Sequence, residues 1–369
     1  MHDETLVVRA GLAPAAQGEA FLRGPVFAGP FHAAGEPASS PYTYARFHNP
    51  TWTAYEVALA ELEGGPALVF ASGMAATTAI LGTILRPGDT ILLPSDSYYT
   101  TRVLARGFFT EIGVEVRQAP TTAGLDPELA RGIKLVWLES PTNPALDVCD
   151  IAAYAAVAHA AGALVAVDNT TATPLGQRAL ALGADIVLAS DTKAMTGHGD
   201  LILGHVAVRD PALGDRLRTW RTQTGSIAGP FEVWLAHRSL STLAVRFERQ
   251  CGNAQAIAEF LAARPEVRRV RYPGLPSDPA HAVAGRQMQR YGPVVSFELA
   301  GRLEAEHFLR SCRLVDEATS FGAVHTTAER RARWGGDAIG EGFIRLSAGC
   351  EHITDLLDDL GQALDGRRG

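Results

Sequence analysis

The chain has 369 residues, of which 47% are hydrophobic and 20% charged, with a net charge of −7. That length holds two or three domains and a sizeable core, and the acidic balance argues against nucleic acid as the main partner. No apolar run approaches the ~20 residues that span a bilayer.

The N-terminus lacks a cationic start followed by an apolar core, so no signal peptide is expected. The first 47 residues are rich in Gly and Pro and read as an extended arm. Regular structure starts at "NPTWTAYEVALAELEGG": Asn49 suits an N-cap, Pro50 the first turn, and Gly64-Gly65 the end of a helix. From there short apolar runs at Ala67–Ala71, Thr90–Pro94, Leu135–Glu139, Leu164–Asp168 and Asp185–Ala189 alternate with alanine-rich helical segments such as Ile151–Ala161. Strands apolar throughout, without alternation, indicate a mostly parallel sheet covered on both faces. The expected fold is therefore a three-layer α/β/α large domain over 48–240.

One long helical pattern runs from Phe231 to Ala263. Beyond it "VVSFEL", "LVDEA" and "FIRLSAG" read as strands of a smaller C-terminal α/β domain, 241–369. The short run "ERRAR", Glu329 to Arg333, reads as a solvated helix face. The four cysteines, Cys149, Cys251, Cys312 and Cys350, stand far apart with no metal-ligand spacing, so reduced thiols of a cytoplasmic protein and no metal site are expected. There is no P-loop, no dinucleotide fingerprint after the first strand and no nucleophile elbow.

Only two of the 33 basic residues are lysines, Lys134 and Lys193. Lys193 follows the strand Asp185–Ala189 in "ASDTKAMTGHGD", at the edge where open α/β sheets bind ligands. Arginine cannot serve as an amine nucleophile, whereas lysine shifts its pKa readily and forms Schiff bases. By itself such a lysine also reads as a surface residue.

Three other stretches end strands of the same sheet. In "ALVFASGMAATTAILGTIL", Gly73 and Met74 open a helix whose first N–H groups could hold a phosphate, though plain strand–turn–helix punctuation reads equally well. In "LVAVDNTTATP", Asp168 puts a carboxylate at an apolar strand end, where it needs a cationic partner or exposure to solvent. In "ESPTNP", Asn143 could meet a ligand or serve the turn alone. Together they supply a phosphate cradle, a carboxylate and an amine, which is what pyridoxal phosphate requires.

The motifs "YARFHNPT", "ELEGG", "SGMAA", "ESPTNP", "VDNT", "SDTKAMTGHGD" and "IRLSAG" occur in that order over nearly the whole chain. On them the sequence resembles the Cys/Met-metabolism (transsulfuration) family of pyridoxal-phosphate enzymes. The resemblance implies the fold type I transferase-like architecture, pyridoxal 5'-phosphate as cofactor, and a homotetramer of dimers sharing active sites. It implies Lys193 as Schiff-base lysine and proton carrier. Gly73, Met74, Ser190 and Thr192 would bind the phosphate, Asp168 the ring nitrogen and Asn143 the phenolic oxygen. Tyr98 would stack on the ring and assist proton transfer, and Tyr44 and Arg46 would reach a neighbouring subunit's phosphate. Arg345 would clamp the substrate α-carboxylate.

The implied activity is a lyase of the cystathionine γ-lyase type, yielding cysteine, 2-oxobutanoate and ammonia from L-cystathionine. The alternatives are γ-replacement, as in cystathionine γ-synthase or an O-acylhomoserine sulfhydrylase, then methionine γ-lyase or a non-catalytic cofactor fold. The chain departs from the family in "SFGAVHTT", Ser320 to Thr327. There His325 stands where a glutamate is expected, and the usual M-T-H is missing. Ser320 and His325 are therefore expected to read the substrate. The turn after Tyr98 lacks Gly-Gly, and Thr100 stands where methionine γ-lyases carry cysteine.

Overall fold

The structure, a computed structural model, describes residues 1–12 and 14–366. Seven strands form the larger sheet: β1 (Ala67–Phe70), β2 (Thr90–Pro94), β3 (Glu115–Ala119), β4 (Ile133–Glu139), β5 (Leu164–Asp168), β6 (Ile186–Ala189) and β7 (Gly204–Val208). Their order is β1-β7-β6-β5-β4-β2-β3, and only β7 runs against the others. Consequently the C-terminal ends of six strands and the first residue of β7 share one edge.

The strand side chains divide between two cores. Val69, Val136, Val165 and Val187 point to one face, which the helices Pro50–Glu63 and Ile151–Ala160 cover. Phe70, Leu135, Ala166 and Leu188 point to the other, beneath the helices Gly73–Ile84 and Pro211–Thr224. Burial on both faces is why these runs carry no period-two alternation.

Two strands of this sheet escape that pattern. Strand β3 lies at the edge and is polar, with no buried residue, as an edge strand that discourages further pairing should be. In β7 the apolar run is interrupted by Gly204 and by His205, which is buried with two carboxylates.

The helix at the arm's end is as expected: Asn49 accepts from Thr51 N at 2.8 Å, and Pro50 occupies the first turn. The arm itself is not extended throughout. Asp3–Arg9 is helical, with Val7 buried and Asp3 and Glu4 paired with Arg178 and Arg290. The pattern over 231–263 also divides into two helices, Pro230–Leu240 and Leu243–Ala262. At the break Arg246 donates to the carbonyls of Ser239, Ala194 and Met195, and the second helix packs on the smaller sheet.

That sheet contains β8 (Arg269–Arg271), β9 (Val294–Glu298), β10 (Asp316–Glu317), β11 (Thr327–Arg330) and β12 (Phe343–Ser347), in the order β10-β11-β12-β9-β8. Strand β12 is central and antiparallel to β11, which puts Arg345 directly opposite Glu329. The run "ERRAR" is thus no solvated helix face. It ends a strand and passes into a short 3-10 turn, with Glu329 fully buried. No described helix is long and apolar enough to cross a membrane.

Candidate active site

A cavity of about 530 Å³ opens where the shared edge of the larger sheet meets β12. Gly73, Met74, Tyr98, Asn143, Asp168, Ser190, Thr192, Lys193, Ser320 and Arg345 all line it. Those from Gly73 to Lys193 each sit at the end of a strand of the larger sheet or in the segment after it, so one sheet edge gathers residues up to 120 positions apart. Ser320 and Arg345, the latter in the middle of β12, come from the side of the smaller sheet.

Lys193 Nζ donates to Ser320 Oγ at 2.7 Å. Burial and the neighbouring Arg345 charge lower its pKa to about 8, against the pull of Asp168 and Glu329. Roughly a tenth of the amine is thereby neutral at pH 7, far more than for an ordinary lysine, and nucleophilic attack on a carbonyl requires that form. Asp168 is 9% exposed. Burial raises its pKa, while two hydrogen bonds from Thr170 to Oδ1 and the Lys193 charge oppose that shift. A carboxylate so placed needs a cationic partner in the cavity.

Glu139, not anticipated from the sequence, lies beside it at the end of β4. It accepts from Tyr98 N at 2.6 Å and from Asn143 N at 2.8 Å, tying the turns after β2 and β4 together. Burial, then the Asp168 charge, push its pKa well above that of an ordinary carboxyl. The sequence carried a signal for it, a carboxylate closing an apolar strand as Asp168 does.

The opposite wall belongs to β11 and β12. Arg345 donates from Nη1 to Asn143 Oδ1 at 2.8 Å, and from Nη2 to Ser320 O at 2.8 Å and to Glu329 Oε1. Burial lowers its pKa to about 10, so the guanidinium keeps its charge at neutral pH. Arg331 and Trp334, from the same unanticipated segment, also line the wall. Asp337 bonds both Arg102 and Arg331, each at 2.8 Å, and holds this segment across Tyr99.

Three expected site residues lie elsewhere. His325 is exposed and does not line the cavity, because its neighbours are pinned on the far side: Val324 O accepts from Cys350 N, and Thr326 is bonded by Glu351. The anion in this wall is Glu329, which is paired with Arg345 and Arg331. Tyr44 and Arg46 are also outside the cavity; Arg46 donates to Thr222 O at 2.8 Å and lies 5.0 Å over the Phe47 ring.

The residues present fit pyridoxal phosphate on structural grounds. Gly73 opens the helix Gly73–Ile84, and a Cβ there would lie 2.8 Å from Ser190 Cβ, so only glycine leaves the N-terminal N–H groups open beside the Ser190 hydroxyl. Asp168 supplies a buried acceptor that lacks a full counter-charge, and Lys193 a partly neutral amine. The model of one family, described as "Cys/Met metabolism PLP-dependent enzyme", matches residues 5–365. The chain belongs to this family. Fold type I architecture and dependence on pyridoxal phosphate follow for this Cys/Met enzyme.

Within the family, the chain is 55% identical to a Streptomyces coelicolor protein named "Putative cystathionine gamma-lyase", over 98% of this chain and 93% of the other. It is 42% identical to cystathionine gamma-synthase of Mycobacterium tuberculosis, over 88% and 86%. Among solved structures, metB from Corynebacterium glutamicum superposes with a TM-score of 0.95 at 38% identity, covering 99% of this chain and 98% of that one.

Proposed function

We propose that this enzyme cleaves the Cγ–S bond of L-cystathionine, with water, to cysteine, 2-oxobutanoate and ammonia. The observation that carries the reading is the convergence of Lys193, Asp168 and Arg345 on one cavity, in a chain 55% identical to a relative named for that activity. Pyridoxal phosphate, when bound, supplies the electron sink that stabilises charge left at the substrate Cα. Gly73, Met74, Ser190 and Thr192 would hold its phosphate, Asp168 its ring nitrogen, Asn143 its phenolic oxygen and Tyr98 its ring face.

The chain's own residues do the rest. Arg345 binds the substrate α-carboxylate in two-point fashion by exchanging its bond to Asn143. The Lys193 amine takes the Cα proton, and a γ-elimination also requires a Cβ proton to move. One mobile amine beside both carbons serves each transfer, a task that guanidinium cannot perform.

The enzyme acts in the cytoplasm as a homotetramer in which Tyr44 and Arg46 complete a neighbour's site. Their place outside this chain's own cavity supports that arrangement.

The second reading, γ-replacement on an O-acylhomoserine, is favoured by the 42% identity to a cystathionine gamma-synthase. A substrate panel separates the two. With L-cystathionine alone, 2-oxobutanoate and cysteine are expected in equal amounts. Formation of cystathionine from an O-acylhomoserine and cysteine, with no oxoacid from cystathionine in either mixture, would overturn the lyase assignment.

A further inference from the structure

Directly behind the turn that carries Lys193 lies a buried polar cluster that the reaction does not use. His205, the second residue of β7, is fully buried, with Nδ1 2.5 Å from Asp191 Oδ1 and Nε2 3.1 Å from Glu63 Oε1. Tyr55 donates to the other Asp191 oxygen at 3.0 Å. A neutral imidazole has one N–H, so a ring facing a carboxylate at each nitrogen is the doubly protonated cation. Burial opposes that charge, but Asp191 and Glu63 outweigh it and raise the His205 pKa to about 10.

The cation links the turn that carries Lys193 to β7 and to the helix Pro50–Glu63. Asp191 stands between Ser190 and Thr192 and two residues before Lys193. Glu63 and Tyr55 belong to the helix Pro50–Glu63, which follows the arm. Gly204, next to His205, packs so closely on the phosphate cradle that a Cβ there would lie 2.6 Å from Gly73 N. With the imidazolium present, one of the two buried negative charges is cancelled. Without it, both carboxylates would stand uncompensated behind a turn meant to hold a phosphate dianion, and Asp191 would lose its side-chain tie to β7.

We infer that His205 is a positioning residue for the cofactor, fixing Ser190, Thr192 and Lys193 in register with Gly73 while offsetting the charge of Asp191. The inference rests on the family's cofactor and not on which substrate is used.

The test strips the holoenzyme and titrates pyridoxal phosphate back, following cofactor absorbance. His205→Gln should raise the dissociation constant by about tenfold or more, the scale on which outer-shell partners act at bound groups. Adding Asp191→Asn, which removes the stranded carboxylate, should recover most of that loss as a non-additive pair. Pyridoxal, which lacks the phosphate, should bind the single variant with a smaller change.

A dissociation constant within twofold of the parent would overturn the inference. So would equal losses for both ligands, unrelieved in the double variant and accompanied by a lower apoprotein unfolding midpoint, which would mark a merely structural role. Should His205→Gln not fold, Asp191→Asn alone carries the comparison, since it leaves the imidazolium less neutralised behind the phosphate turn. A pyridoxal phosphate constant moved by more than about twofold with pyridoxal little changed then supports the inference, and no change overturns it. A parent protein that takes up no cofactor would instead fail the family reading.

Discussion

Lys193→Ala is expected to lower turnover by roughly 10⁴-fold, the upper range for loss of a positioned acid–base group, and Lys193→Arg should not restore it. The variant should still bind pyridoxal phosphate without a covalent link, since Asp168, Ser190 and Thr192 are untouched. The measurement is unusually clean here, because the only other lysine, Lys134, is exposed on β4. Borohydride reduction of the parent holoenzyme followed by peptide mapping should place all of the label on the Lys193 peptide. Label on Lys134, or turnover retained in Lys193→Ala, would remove Lys193 from the reaction.

The same amine gives a pH signature in the cofactor-free protein. Its pKa is lowered to about 8, and the neutral form is the one that attacks an aldehyde. The rate of covalent cofactor capture should therefore rise as pH increases through about 8 and level off above it. An ordinary lysine would keep gaining towards its reference value of 10.5.

The sheet was readable because parallel strands buried on both faces are uninterrupted apolar runs, and five of its seven strands announced themselves that way. The two that did not are the polar edge strand β3 and β7, whose charged histidine serves contacts far away in sequence. The cofactor side of the site was equally legible, since Gly73, Asn143, Asp168 and Lys193 each sit at the end of such a run. The substrate wall was legible only in part: Arg345 and Ser320, named from the family motifs, line it, but Glu329, Arg331 and Trp334 were not foreseen. Its residues come from the smaller sheet, where Arg345 and Glu329 meet only through the pairing of β11 with β12. Read along the chain, Glu329 is one charge in a short polar run. Strand register, not composition, makes it a buried counter-ion. His325 stands exposed outside this cavity, in the turn from Gly322 to Thr326.

That wall yields the second large expected effect, in Glu329→Ala. Glu329 has no exposed side-chain surface, and its partner Arg345 has 4%. Arg331, Arg333 and Trp334 Nε1 also bond to it, at 3.0, 3.2 and 2.9 Å. Removing the carboxylate leaves the buried Arg345 guanidinium without its counter-charge and Arg331 with Asp337 alone, and breaking a buried pair from one side costs about 3–5 kcal/mol. A urea titration should show that loss in the midpoint, and the amino-acid KM should rise because Arg345 loses the group that orients it.

Glu329→Gln keeps the shape and isolates the charge. Burial alone would raise the Glu329 pKa, but Arg345, Trp334 and Arg331 bring it below the reference value of 4.5. A carboxyl whose folded pKa is depressed stabilises fully above 4.5, and its contribution fades as pH falls through the lower folded value. The parent should therefore lose part of its advantage over Glu329→Gln as the pH is taken below 4.5, and the two stability curves should converge there. Curves that stay parallel through that range would show that hydrogen bonding, not the ionised carboxylate, is what Glu329 gives to the wall.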